Sequence, residues 1–95
     1  MLVTGRDGTM QQPHYPRVVY RIREKLDAGA LSFFAPVKRW VGYGQGKPCD
    51  GCDDIIWPAQ IEHELDFVSA PTVRLHVGCA GLYESERRRR GYRAS

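Results

Sequence analysis

The chain has 95 residues, 42% of them apolar and 26% charged, which fits one small globular domain and excludes a disordered chain. No apolar run approaches the roughly 20 residues that span a bilayer, and Met1 to Gln12 lack the apolar stretch of a secretory signal, so the expectation is a cytoplasmic protein with no membrane partner. The formal charge of +3 is unevenly spread: residues 1–48 hold eight Lys/Arg against three Asp/Glu, residues 49–79 one Arg against six acids, and residues 80–95 five Arg against two Glu.

Residues 1–14 read as a flexible lead-in, with Gly5, Gly8, Gln11, Gln12 and Pro13 and little periodicity; His14 within it reads as solvated. Residues 15–95 read as one domain. Its first element is a helix over about 16–28. Pro16 suits a first helical turn, where its missing N–H would have no partner. Val18, Ile22 and Leu26 recur every four residues, with Val19 beside them, so one face is apolar. Arg17, Arg21 and Lys25 form the neighbouring polar stripe. Gly29 is the stop, and Leu31 packs back on the last turn.

Pro36 breaks the stretch that follows. Val37 to Tyr43 reads as a short strand, with Val37, Arg39, Val41 and Tyr43 on one side and Lys38 and Trp40 on the other. Gly42, Gly44 and Gly46 alternate toward Cys49 without the strand–glycine–helix unit of a dinucleotide fingerprint, and read as a flexible approach. Trp57 and Pro58 fall in a turn. Ile61 to Val77 reads as a β-hairpin: Ile61, His63, Leu65 and Phe67 inward, Glu62, Glu64 and Asp66 wet, then Val73, Leu75 and Val77 alternating with Arg74 and His76. Ser69-Ala70-Pro71 is its turn, and Arg74 sits across from one of the acids. A last helix runs from about Cys79 or Ala80 to Arg90, with Leu82 and Tyr83 on its apolar side. Glu84 and Glu86 sit early and Arg87 to Arg90 late, an order that suits the helix dipole, and Gly91 is the stop.

Each of the three cysteines falls in a ligand pattern. Cys49 and Cys52 are C-x2-C, and His76 and Cys79 are H-x2-C. Zinc takes four soft or borderline donors in a tetrahedron, and Cys3His is one of its structural sets. The x2 spacing lets a tight turn aim two side chains at one ion, and Gly51 gives the turn between Cys49 and Cys52 its backbone freedom. A redox C-x-x-C would expect a thioredoxin-like context, and Asp53 and Asp54 beside it would disfavour a reactive thiolate. A Cys49–Cys52 disulfide would leave Cys79 alone. The expectation is one structural Zn2+ on Cys49, Cys52, His76 and Cys79, with no coordination position left for water and hence no zinc catalysis.

The order of knuckle, hairpin and helix resembles the treble-clef zinc modules, in which a knuckle gives the first ligand pair and the start of a helix the second. It is similar as well to one half of a LIM domain and to the DNA-break-sensing finger of poly(ADP-ribose) polymerases. The resemblance covers about residues 44–91 and implies a fold and the four ligands, not an activity. The whole chain also resembles small bacterial proteins built from a helix and a single finger.

Other residues carry alternatives. His63 reads as a partly buried structural histidine rather than a fifth ligand or a general base. Glu62, Glu64 and Asp66 read as a solvated face rather than a catalytic carboxylate pair. Arg87, Arg88, Arg89 and Arg90 form either a solubilising helix end or a contact for phosphate or an acidic protein; Tyr92 and Arg93 extend them. Lys38, Arg39 and Trp40, with Tyr43 and Lys47, form a basic and aromatic cluster, in which packing of the aromatics is favoured over stacking on unpaired bases. No nucleophile, phosphate loop or second metal cluster accompanies them, so no enzyme and no small-molecule substrate are expected. The fold class expected is α+β, a helix followed by a treble-clef-like finger. The function expected is that of a zinc-stabilised protein-interaction module, with nucleic-acid binding through Arg87–Arg90 and the Lys38–Lys47 cluster as the alternative.

Overall fold

The computed structural model describes residues 15–91. The lead-in with His14, and the extension at Tyr92 and Arg93, lie outside the described residues. The rest is a mixed α+β fold of two helices and antiparallel strands.

Helix α1 (Tyr15–Asp27) buries Ile22 and Leu26, with Val18 partly buried beside them, as the four-residue repeat requires. Gly29 takes φ 78°, and the Ala30 and Leu31 N–H groups reach back to the Lys25 carbonyl at 2.8 and 3.1 Å, which closes the helix and drops Leu31 into the core. Strands β1 (Lys38–Tyr43), β4 (Ile61–Asp66) and β5 (Val73–His76) form an antiparallel sheet in the order β1-β4-β5. Between β1 and β4, β2 (Lys47–Pro48) and β3 (Ile55–Ile56) make a two-stranded ribbon around the Cys49–Cys52 turn. Helix α2 (Val77–Arg89) leaves β5 directly, and Gly91, at φ 91°, follows its end.

Opposite residues of an antiparallel pair share a face. The register Leu65↔Val73 and His63↔Leu75 therefore puts three of the core residues on one side, packed with Ala80 and Tyr83 of α2. The core is small: eleven buried apolar residues among those described, two of them the cysteines Cys49 and Cys79. Each full-sized side chain contributes about 1.5–3 kcal/mol, so a core of this size leaves much for other contacts to supply.

Three expectations need correcting. The alternation of β4 is broken, because Ile61 is exposed and Glu62 is only 4% exposed. Ile61 lies outside the core cluster, whereas Glu62 faces His76 across the hairpin and has Arg74 Nε 3.5 Å from its carboxylate. Helix α2 begins at Val77, two residues early, with His76 as its N-cap. Glu84 and Glu86 consequently sit mid-helix, and the first turn holds no acid, so their partners are side chains rather than the dipole. Finally, packing does not bury the aromatics of the basic cluster: Tyr43 is exposed, and so is Trp40 on β1, its Nε1–H donating to Asp66 at 3.1 Å, with Lys38 Nζ 5.3 Å from its ring.

Candidate metal centre

Two pieces of backbone aim four side chains at one point. The first is the turn of residues 49–52, which is fastened at both ends. The Cys49 N–H donates to the Asp54 carbonyl at 2.8 Å, and the Asp53 N–H to the Cys49 carbonyl at 2.9 Å. Asp53 takes the left-handed conformation, φ 73°, that lets the chain double back. Gly51 is needed here for space rather than for an unusual φ. A Cβ on it would lie 3.1 Å from Cys79 Cβ and 3.2 Å from Leu75 Cδ2, so the turn rests directly on the second ligand segment. That segment is the β5–α2 junction, where His76 ends the strand and Cys79 falls in the first turn of the helix.

The donor atoms of Cys49, Cys52, His76 and Cys79 all lie within 4.8 Å of one another. With Zn–S near 2.3 Å and Zn–N near 2.0–2.1 Å, a tetrahedron places sulfur and nitrogen donors about 3.5 Å apart. Cys52 Sγ and His76 Nδ1 are 3.4 Å apart. The other ring nitrogen, Nε2, lies 3.1 Å from the Ile55 carbonyl. If Nε2 carries the proton, that bond leaves Nδ1 as the donor, the arrangement by which metal-binding histidines are oriented. The Gly51 N–H points at Cys49 Sγ at 3.3 Å. The set therefore fits a metal ion, with one imidazole and three sulfur donors, two of them buried.

The thiols show the same bias. Cys49 is pushed down to about 4, chiefly by its hydrogen bond with Cys79 and then by backbone N–H groups that include those of Cys52, His76 and Gly51. Cys79 is pushed up, first by that same bond to Cys49 and then by burial, and Cys52 is pushed up chiefly by burial.

The charge blocks of the sequence meet around this centre. Arg21 donates to the Cys52 carbonyl at 3.0 Å and pairs with Asp53 at 2.9 Å. Lys25 reaches the Asp50 carbonyl at 3.0 Å and Asp53 at 2.6 Å. Lys25 first, then Arg21, hold the Asp53 carboxyl below the usual range. Sequence reasoning placed Arg21 and Lys25 on a polar stripe without a partner. The signal was the run of acids that directly follows Cys49.

The remaining candidate residues are scattered. Arg87 is 1% exposed: it donates to the Phe34 carbonyl at 3.0 Å, pairs with Glu84, and stacks 4.6 Å from the Tyr83 ring. Arg88 pairs with Glu84 at 3.6 Å, Arg89 with Glu86 at 3.6 Å and Arg90 with Asp27 at 2.6 Å. Trp40 lies on the face of the sheet opposite to Arg39, and Lys38 and Arg39 both line a cleft with Val37, Glu84 and Arg87. His63 is half-buried against the core and is not part of the metal cluster. Among the described residues no helix is long and apolar enough to cross a membrane. Compared with protein-family models, with curated proteins and with solved structures, the chain matches none of them.

Proposed function

We propose that this chain is a small zinc-stabilised module, without catalytic activity, that works by binding protein. The ion is zinc, because three thiolates and an imidazole are the donor set that suits it best. Four protein donors leave no coordination position for a water nucleophile, so the ion is structural and its binding free energy is folding free energy. The order of knuckle, hairpin and helix supports a treble-clef-like finger, with α1 laid on it.

One observation carries the choice of protein over nucleic acid. Arg87 is buried against Glu84 and the Phe34 carbonyl, Arg90 is tied to Asp27, and Arg88 and Arg89, though mostly exposed, lie beside Glu84 and Glu86, while Phe34, Trp40, Val41, Tyr43, Trp57 and Val68 stand exposed. Exposed aromatics belong to protein-binding surfaces. Phosphate contact needs cations that are available for it.

The deciding experiment is a fluorescence titration of the zinc-loaded chain with short duplex and single-stranded DNA and RNA at two salt concentrations, with an Arg88→Ala/Arg89→Ala variant alongside. The expected result is no binding that rises steeply as salt falls. Tight, salt-sensitive binding that the variant loses would replace this reading with nucleic-acid recognition.

A further inference from the structure

The three-stranded sheet has two edges, and they differ. On the β5 side the Asp50 N–H donates to the Arg74 carbonyl at 2.7 Å, and the Arg74 N–H donates to the Asp50 carboxylate at 2.8 Å, so the metal-binding turn seals that edge. On the β1 side the register fixes which backbone groups point outward. The Gly44 N–H donates to the Gln60 carbonyl at 2.8 Å, in line with Tyr43↔Ile61 and Gly42↔Glu62. Antiparallel pairing alternates every second residue, so Gly42, Trp40 and Lys38 turn their backbone groups toward β4. Arg39, Val41 and Tyr43 turn theirs outward, and among the described residues nothing pairs with them.

An unpaired edge is a template for another strand, and natural proteins guard it with charge, proline or a bulge. Lys38 and Arg39 guard the first half of β1. The second half, Val41-Gly42-Tyr43, carries no charge, and Val41 is 62% and Tyr43 72% exposed.

We propose that the occupant of this edge is a second copy of the chain, with the two β1 strands antiparallel and centred on Val41. The outward groups select that register. Centring on Val41 pairs Arg39 with Tyr43, Val41 with Val41, and Tyr43 with Arg39, so every outward N–H and C=O of the strand finds a partner. Centring on Arg39 would place two guanidinium groups opposite each other, and centring on Tyr43 would pair Arg39 with Lys47, beyond the strand.

The side chains agree with the selected register. Arg39 lies beside the phenol ring of Tyr43 of the second copy, a cation against an aromatic face. On the other face Trp40 is opposed by Gly42, where a Cβ would have nothing within 4 Å, so the indole meets open space. No like charges are opposed. Because the β5 edge is sealed, the pairing closes as a two-fold dimer and does not propagate into a fibre. One pair of six-residue strands buries less than the roughly 1,200 Å² of a standard interface, so the dimer is weak and depends on concentration. It stands whatever else the module binds.

Sedimentation of the zinc-loaded full chain between about 10 µM and about 1 mM tests this, the range in which interfaces at the low end of size dissociate. The wild type is expected to move from one chain to two across the series. Val41→Lys and Val41→Glu each place like charges at the two-fold axis and are expected to stay monomeric; mixed together they are expected to dimerise. Val41→Pro, which removes an N–H that β4 does not use, is expected to stay monomeric as well, and far-UV circular dichroism checks that each variant folds. A wild type that is monomeric throughout overturns the proposal, whether its Arg39, Val41 and Tyr43 amides exchange rapidly (an edge left for a foreign strand) or slowly (an edge held by residues 1–14). Folded lysine and glutamate variants that do not associate on mixing overturn it too, because only the Val41-centred register brings position 41 against itself.

Discussion

Replacing Arg87 by alanine separates one arginine from three neighbours that the sequence makes look alike. The side chain is 1% exposed and serves the Phe34 carbonyl, the Glu84 carboxylate and the Tyr83 ring together. Breaking a fully buried ion pair costs about 3–5 kcal/mol. The Glu84 side chain is 28% exposed and keeps Arg88 at 3.6 Å, so its carboxylate is left partly hydrated and partly paired, and the loss falls at the low end, about 3 kcal/mol. Arg88→Ala and Arg89→Ala remove exposed partners and cost about 0–0.5 kcal/mol each; Arg90→Ala, which loses its pair with an exposed Asp27, costs under about 1 kcal/mol. In a domain this size each kcal/mol moves the midpoint by about 4–8 °C, so Arg87→Ala lowers it by at least about 12 °C and Arg88→Ala by no more than about 4 °C. Arg87→Lys keeps the charge without the planar fork that spans Phe34 and Glu84, and falls between them. Thermal unfolding of the four zinc-loaded alanine variants, followed by far-UV circular dichroism at equal zinc excess, measures this. Midpoints within about 4 °C of each other would refute the burial of Arg87 and return all four arginines to the surface.

Three further outcomes are expected. Elemental analysis should find one zinc per chain, and a strong chelator at neutral pH should abolish the cooperative melt, with affinity falling as pH falls because thiols and imidazole must lose protons to bind; an unchanged melt after metal removal would refute a structural ion. Gly44→Ala would set a Cβ 2.3 Å from the Trp57 carbonyl oxygen and 2.6 Å from that of Ile56, both backbone, and should cost at least about 1–3 kcal/mol in denaturant unfolding, whereas Gly42→Ala meets nothing within 4 Å and should be near neutral; equal effects would refute the close approach. Burial first, then the charge of Arg39, hold His63 below its ordinary 6.5, so its contribution to stability is complete above that value and is lost as pH falls through it toward the folded pKa; an NMR titration should place the His63 midpoint below 6.5 and raise it in Arg39→Ala, and a midpoint at or above 6.5 would contradict the burial.

What the sequence made legible was local. The four-residue repeat of α1, the stop at Gly29 with Leu31 behind it, the strands of the hairpin and the two x2 ligand pairs each depend on residues a few positions apart. What stayed hidden depends on partners far away in the chain or on direction around an axis. Four arginines in a row are one letter repeated, but a helix turns about 100° per residue, so Arg87 enters the interior while Arg88 and Arg89 leave it. Gly42, Gly44 and Gly46 also look alike. Gly42 borders open space, Gly44 abuts the backbone of Ile56 and Trp57, and Gly46 takes φ 76°. Glu62 reads as wet by alternation, and is buried because His76 and Arg74 flank it from β5.

The alternating charge blocks gain their sense from the same long-range contacts. A basic start, an acidic middle and a basic end read first as ordinary solvated faces, with a basic surface for an acidic partner as the alternative. Much of that charge is instead satisfied within the chain. Arg21 and Lys25 of α1 hold Asp53 and the carbonyls of Cys52 and Asp50, which fixes the first ligand turn. Arg23 pairs with Glu86 at 3.0 Å, and Arg90 with Asp27 at 2.6 Å, which ties α1 to the helix that carries Cys79. Helix α1 thus grips the first ligand turn directly and the C-terminal half of the helix that begins at the second ligand pair. Surface ion pairs are weak one by one, but these converge on a turn whose Asp53 must be kept at φ 73°. Docking of α1 and the shape of the Cys49–Cys52 turn are therefore coupled, and the helix belongs to the same folded unit as the Cys/His cluster instead of merely preceding it.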